Sequence, residues 1–357
     1  MAFSLFKKKK DKKDNRYQTV TIKEVVNVAK DAVNLVFEKP ESFEYEPGQF
    51  ITIIKEVNGK KIRRAYSLCT TPFEDENPAV TVKRVDGGAM SNDLNDHIKA
   101  GDQLEIMEPM GMFTTEYNPS NKRKAIFFGG GSGITPLISI IRSILLKEPE
   151  SHTTLVYGNR KDEYIIFKSL IAKLQATYPE RFRAVHILEE GEADYQGRPT
   201  SDMIGAICEE LSCNEQTEFY ICGPQPMMNI VSEGLNKKGY AEAKIRMESF
   251  EAGKTSPNDI IDKGATTESE VAILLDGEEY SVTVKKNASI LDTALDNDLD
   301  MPYSCQSGLC TACRGKCVEG KVSIDEAEGL SQDELDEGYV LTCVGKPLSD
   351  RVRIEMG

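Results

Sequence analysis

Short apolar runs alternate with polar residues along the first third of the chain, at residues 17–26, 33–37, 49–54, 64–68, 80–85 and 103–107. Pro47-Gly48, Asn58-Gly59, Gly87-Gly88 and Gly101-Asp102 punctuate them. Short strands at near-regular spacing, separated by turn residues, predict an antiparallel β-barrel or sandwich over residues 17–120. The pattern changes at Lys124. A buried-strand run at 125–128 leads into glycines and then into helical periodicity at Leu137, Ile138, Ile141, Ile144 and Leu145. Further strand-like runs at 154–157, 184–188 and 218–221 have helical stretches between them. That alternation predicts βαβ units around a parallel sheet over residues 121–250.

Residues 251–268, EAGKTSPNDIIDKGATTE, have no apolar period and read as a linker. Beyond it, residues 271–284 alternate like a hairpin around Asp276-Gly277, and residues 289–297 look helical. At the other end, residues 1–16 (MAFSLFKKKKDKKDNR) lack the apolar core of a secretory signal. Their lysine run would suit weak contact with an anionic membrane, or a disordered tail. No stretch approaches the roughly 20 apolar residues that a membrane helix needs, and the expected location is cytoplasmic.

The formal net charge is −14, which argues against a nucleic-acid binder, since that needs a basic face. Residues 271–357 hold 8 Lys or Arg against 17 Asp or Glu. Such an acidic surface would either steer a basic partner or serve solubility alone.

Five of the 9 Cys fall between Cys305 and Cys343. Cys305, Cys310 and Cys313 have the spacing C-x4-C-x2-C, and Cys343 follows after 29 residues. This is the plant-type [2Fe–2S] ferredoxin spacing. Two irons sharing two sulfides need four thiolates, and the loop SCQSGLCTACRG can turn backbone N–H groups toward the sulfurs. A structural zinc site is the alternative, although its usual two separated Cys pairs fit this spacing poorly. Cys317 reads as a small buried side chain.

Gly129–Pro136, GGGSGITP, follows the run 125–128 and precedes a helix. Strand, glycines, then helix is the arrangement that receives a pyrophosphate at a helix N-terminus. Pro136 suits the first helical turn. The pattern G-x-G-x-x-P departs from the dinucleotide fingerprint G-x-G-x-x-G, and a plain tight turn is the alternative.

With these motifs in place, the chain from about residue 17 onward resembles the ferredoxin–NADP reductase superfamily, in the form with a fused C-terminal plant-type ferredoxin domain. It is most similar to the branch serving oxygenases, phenylacetyl-CoA epoxidase and steroid hydroxylases. In order come Arg64-Ala65-Tyr66-Ser67, then Val82-Lys83-Arg84-Val85 with Gly88-Ala89-Met90-Ser91, then Gly129–Pro136. Tyr157-Gly158-Asn159-Arg160, Cys222-Gly223-Pro224-Gln225-Pro226-Met227 and Glu248-Ser249-Phe250 complete the set.

The resemblance implies an FAD-binding antiparallel β-barrel, a parallel α/β nicotinamide domain (121–250) and a β-grasp ferredoxin-like domain (269–357). It implies that Arg64 pairs with a flavin phosphate, Tyr66 packs on the isoalloxazine and the Ser67 hydroxyl lies near N5. Val82 and Lys83 would run beside the flavin. Gly88, Met90 and Ser91 would open the helix that binds the FAD pyrophosphate; an FMN-using branch also exists. Gly131, Gly133, Thr135 and Pro136 would form the nicotinamide loop, with Gly223, Pro224 and Met227 opposite. Cys222 is expected near nicotinamide C4 and Glu248 near flavin and nicotinamide. Asn159 and Arg160, with Lys161 or Arg198, favour the 2′-phosphate of NADPH, NADH remaining possible. Cys305, Cys310, Cys313 and Cys343 would hold the cluster. His97, His152 and His186 match none of these motifs.

The expected activity is hydride uptake from NAD(P)H by the flavin and single-electron release through the cluster to a redox protein, such as an oxygenase, epoxidase or desaturase component. Two rivals are a stand-alone diaphorase acting on quinones or metals, and a redox-sensing iron–sulfur protein.

Overall fold

The structure, a computed structural model, describes residues 17–240, 244–250, 268–308, 310–323, 327 and 329–356. The expected tail at 1–16 and the linker at 251–267 lie outside the described residues.

The first sheet contains β1 (Tyr17–Ala29), β2 (Ala32–Phe37), β3 (Phe50–Val57), β4 (Lys60–Ser67), β5 (Ala79–Lys83) and β6 (Gln103–Met110), ordered β4-β3-β6-β1-β2-β5. Every pairing is antiparallel. A bridge from Leu68 to Val80 ties the two ends of the sheet together, so the sheet curls into a half-barrel rather than a two-layer sandwich. Its inner face is apolar, with Val20, Leu35, Ile51, Ile53, Leu68, Val80, Val82 and Ile106 packed together. Alternation of inward and outward residues along each strand is what permits one wet and one dry face. Helix α1 (Ala89–His97) closes one end.

The second sheet is parallel. β7 (Lys124–Gly130), β8 (His152–Asn159), β9 (Phe182–Leu188), β10 (Tyr195–Gln196), β11 (Glu218–Cys222) and β12 (Ile245–Glu248) are ordered β10-β9-β8-β7-β11-β12. Strands with both faces covered read as continuous apolar runs, and Ile126, Phe127 and Phe128 of β7 are all buried. Helices α2 (Ile134–Lys147) and α3 (Lys168–Thr177) pack on one face. α4 (Ser201–Glu210) and α5 (Gln225–Lys237) pack on the other. Strand order reverses between β7 and β11. A ligand crevice is expected beyond the carboxyl ends of strands at such a point.

The third sheet, β14-β13-β17-β15-β16, is mixed: β13 (Glu268–Leu275) pairs parallel with β17 (Arg351–Met356) and antiparallel with β14 (Glu278–Lys285). β15 (Arg314–Glu319) and β16 (Tyr339–Leu341) complete it, with α6 (Ile290–Asp296) across it, capped by Ser289. This is a β-grasp arrangement. Glu268, expected in the linker, instead opens β13 opposite Lys285. Glu268 and Glu270 are exposed while Ser269 and Val271 are buried on the opposite face, so the strand begins with the alternation.

Candidate functional site

Two strand ends and two helix starts enclose a cavity of about 340 Å3. Arg64, Tyr66 and Ser67 of β4, Lys83 of β5, and Gly88, Met90 and Ser91 around the start of α1 line it. Ser132 and Thr135 reach it from the glycine loop of the parallel domain. The motifs read from sequence therefore converge from two separate sheets.

Val82 is an exception. It is fully buried in the barrel core, and Thr81 and Lys83 line the cavity instead. Strand alternation sends residues 81 and 83 to one face and residue 82 to the other. The period of two was the available signal for Thr81. Ala65, Val85 and Ala89 also line the cavity without having been singled out. Phe250 lies on its rim, 45% exposed.

The glycine loop is built for close approach. A Cβ on Gly133 would lie 2.0 Å from the Cys222 carbonyl oxygen, and one on Gly130 2.6 Å from Met227 Sδ and 2.9 Å from Pro224 Cδ. Side chains there would force the two crossovers apart. Gly131 has φ +53° and its carbonyl accepts a hydrogen bond from Tyr157 Oη at 2.8 Å. Pro136 is buried in the first turn of α2. Gly223, Pro224 and Met227 pack against this loop from the β11–α5 side. Cys222 is fully buried beneath it, off the cavity wall, and burial first, then the Glu248 charge, pushes its thiol well above its ordinary range.

The basic residues behave unequally. Arg160 lines a neighbouring cavity of about 340 Å3 with Lys83, Arg84 and Tyr164. Burial, then the charge of Arg160, lowers the Lys83 pKa, with Asp31 opposing; Asp31 and Asp86 line the same cavity. Arg198 instead pairs with Glu189 at 3.2 Å, and Lys161 with Glu190 at 2.9 Å. Neither carboxylate figured in the sequence reading. Asn159, at the end of β8, is buried with both side-chain polar atoms unpartnered.

A third cavity, about 220 Å3, adjoins the first. Arg64, Ala65, Ser67 and Phe250 line both. Its far wall carries Glu248, Ser304, Cys305, Gln306 and Ser307. Glu248 is buried, which with the nearby Cys305 raises its pKa to about 8. Ser67 Oγ, Glu248 Oε2 and Ser307 Oγ are buried without hydrogen-bond partners. Orphaned polar atoms are rare inside proteins. Their concentration around these two cavities fits a polar-edged ligand such as a flavin.

The four predicted cluster cysteines are gathered in one region, Cys310, Cys313 and Cys343 buried and Cys305 partly so. Hydrogen bonds from Cys310 and then Cys343 pull Cys305 toward the thiolate, and Cys343 does the same for Cys313. The four thiols are thus within mutual reach, Cys305 beside both Cys310 and Cys343, and Cys343 beside Cys313. Among the described residues no three His, Cys, Asp or Glu side chains close around a single metal ion. Four thiols gathered in one region are the donor set that a two-iron centre takes, so the residues present fit the cluster. Cys317 is outside the group and only partly buried, donating to the Glu319 and Gly320 carbonyls.

Comparison with known proteins agrees with this layout. Residues 19–115 match the oxidoreductase FAD-binding domain, 127–233 the oxidoreductase NAD-binding domain and 273–348 the 2Fe-2S iron-sulfur cluster binding domain. The ferredoxin reductase component of 3-ketosteroid-9-alpha-monooxygenase from Rhodococcus rhodochrous is 35% identical, across 96% of this chain and 97% of that one. This chain belongs to the ferredoxin–NADP reductase superfamily. Within that superfamily, a component of 1,2-phenylacetyl-CoA epoxidase from Escherichia coli K12 is 31% identical over 95% of this chain and 97% of its own length. Phthalate dioxygenase reductase shares the fold, with a TM-score of 0.60 at 23% identity, covering 95% of this chain and 98% of that one. The protein is an NAD(P)H-dependent reductase that uses FAD and a [2Fe–2S] cluster for electron transfer. Among the described residues no helix is long and apolar enough to cross a membrane.

Proposed function

We propose that this reductase draws hydride from NADPH and delivers electrons singly, through its cluster, to an oxygenase-type component in the cytoplasm. The observation that carries this is the shared wall of the two adjoining cavities: Ser67, Ala65 and Arg64 face the flavin site on one side and the Cys305 loop on the other. When bound, FAD supplies the conversion of a two-electron donor into one-electron steps, and the cluster supplies the outlet.

The chain's own residues do the positioning. Arg64 offers a guanidinium to phosphate, and the N-terminus of α1, from Gly88 to Ser91, offers backbone N–H groups. Tyr66 presents a flat face whose phenol burial keeps protonated. Ser67 Oγ offers a hydrogen bond at the ring edge. Thr135 and Ser132 hold the nicotinamide approach, and Cys222 supports that loop from below. Glu248, with its pKa raised to about 8, holds a proton on its carboxyl at neutral pH. Cys305, Cys310, Cys313 and Cys343 hold the cluster. The modules divide at residues 17–120, 121–250 and 269–357.

The nicotinamide preference rests on Arg160. With Arg198 and Lys161 each paired to a carboxylate, Arg160 beside Lys83 is the site for the 2′-phosphate. Arg160→Ala should lower kcat/KM for NADPH by about tenfold, ~1.4 kcal/mol, and leave that for NADH within about twofold. A wild-type protein that prefers NADH would refute the preference. The acceptor follows from the relatives, which are reductase components of monooxygenases and an epoxidase. Cys69, Cys208, Cys213, Cys222 and Cys317, the cysteines outside the proposed cluster, form no disulfide, which suits a reducing cytoplasm. Anaerobic titration with NADPH and NADH, followed by visible spectra and EPR, tests both cofactors together; a colourless, zinc-loaded protein would overturn the reading.

A further inference from the structure

Arg63 and Arg64 are adjacent on β4 and point to opposite faces. Arg64 lines the flavin cavity. Arg63 is only 3% exposed, and the cluster-bearing module reaches it through Asp300 and Tyr303. Its Nη1 donates to Asp300 Oδ1 at 2.5 Å, and its guanidinium carbon lies 5.4 Å from the centre of the Tyr303 ring. Its Nε is buried without a partner. Lys61 of the same strand reaches the other Asp300 oxygen at 3.4 Å. Next to these, Thr52 Oγ1 and Ser304 Oγ hydrogen-bond across the same seam. The seam is apolar at its centre, where Phe50, Ile54 and Met107 of the barrel pack against Cys310 and Ala312 of the cluster loop.

We propose that Asp300, through Arg63 and Lys61, is a latch that docks the ferredoxin module in the register that brings the Cys305 loop to the flavin cavity. The apolar patch supplies attraction but little direction, because burial of apolar area is non-directional. A guanidinium and a carboxylate fix geometry through aligned hydrogen bonds. Arg63 gives up its water to make this contact, and a buried charge that loses its partner is costly. Misregistered docking that leaves Arg63 covered but unpaired is therefore disfavoured. The Asp300 side chain is 58% exposed, so salt screens the pair and the latch can release. Arg63 and Asp300 are positioning residues; neither lines the flavin cavity.

The latch rests on the reading of the four cysteines as cluster ligands, and the test separates the two. Asp300→Lys and Asp300→Glu are made in the full-length protein carrying its cofactors. Anaerobic stopped-flow spectroscopy with NADPH then resolves flavin reduction from cluster reduction, and small-angle X-ray scattering reads the radius of gyration. Asp300→Lys should leave flavin reduction within about twofold of wild type, slow cluster reduction at least about tenfold, and raise the radius of gyration. Asp300→Glu, which keeps the charge, should retain most of the rate. Cluster reduction at the wild-type rate in Asp300→Lys overturns the latch, as does an equal loss in both variants. A wild-type protein without cluster absorption would instead indict the cysteine assignment. Scattering of Asp300→Lys against wild type would still judge the latch in that event, unchanged dimensions overturning it.

Discussion

The two faces of β4 make a controlled comparison within one strand. On one face Arg64 and Tyr66 meet a cavity shaped for a ligand. On the other, Arg63 meets a second folded module through Asp300 and Tyr303. The first face has a chemical signature that a short motif can carry, because a cofactor's phosphate and ring demand particular side chains at particular strand positions. The second has none, because its partner lies more than 200 residues along the chain and is met only when two independently formed sheets dock. The lesson is that neighbouring identical residues can serve different purposes, set by what each side chain meets in the folded molecule.

The sharpest break in this comparison comes from Cys305→Ser. Removing one of four thiolates should abolish cluster absorption and reduce electron delivery to cytochrome c by about a hundredfold or more, since ligand loss in such sites is rarely tolerated. Flavin reduction by NADPH should persist. If delivery survives with the cluster gone, the flavin face alone is the outlet.

Arg64→Ala should come next. Hydrogen bonds to charged groups contribute about 1.5–3 kcal/mol, so flavin affinity should fall about 10- to 150-fold in an apoprotein titration, with unchanged scattering dimensions. A change in dimensions would mean the two faces are not independent. The smallest effect belongs to Thr52→Ala. The lost Thr52–Ser304 hydrogen bond joins neutral groups, and such a bond contributes about 0.5–1.5 kcal/mol. Cluster reduction should slow by no more than about tenfold, less than in Asp300→Lys. A larger effect would move the orienting role from the charge pair to the hydroxyls.

Much of the fold was legible along the chain. The switch from period two to βαβ alternation at Lys124 is visible because half-buried and fully buried strands have different apolar patterns. The spacing of Cys305, Cys310, Cys313 and Cys343 picks out four thiols that the structure gathers in one region. Val82, which the motif places beside the flavin, lies in the barrel core, while strand alternation puts Thr81 on the cavity wall. The pairing of Arg198 with Glu189 and of Lys161 with Glu190 is not legible in the sequence, because ion pairs between residues distant in the chain leave no local trace.

Local chemistry, then, was written in the chain: which segments become strands, which glycines must lack a side chain, which four thiols belong together. These follow from short-range sterics, burial patterns and ligand demands that act within a few residues or within one motif. Docking was decided by the tertiary structure. Arg63 acquires its meaning, and Ser67 gains Cys305 across a shared wall, only because apolar surfaces from two sheets close on one another. That closure depends on the sum of many weak, non-directional contacts, and no single stretch of sequence encodes such a sum.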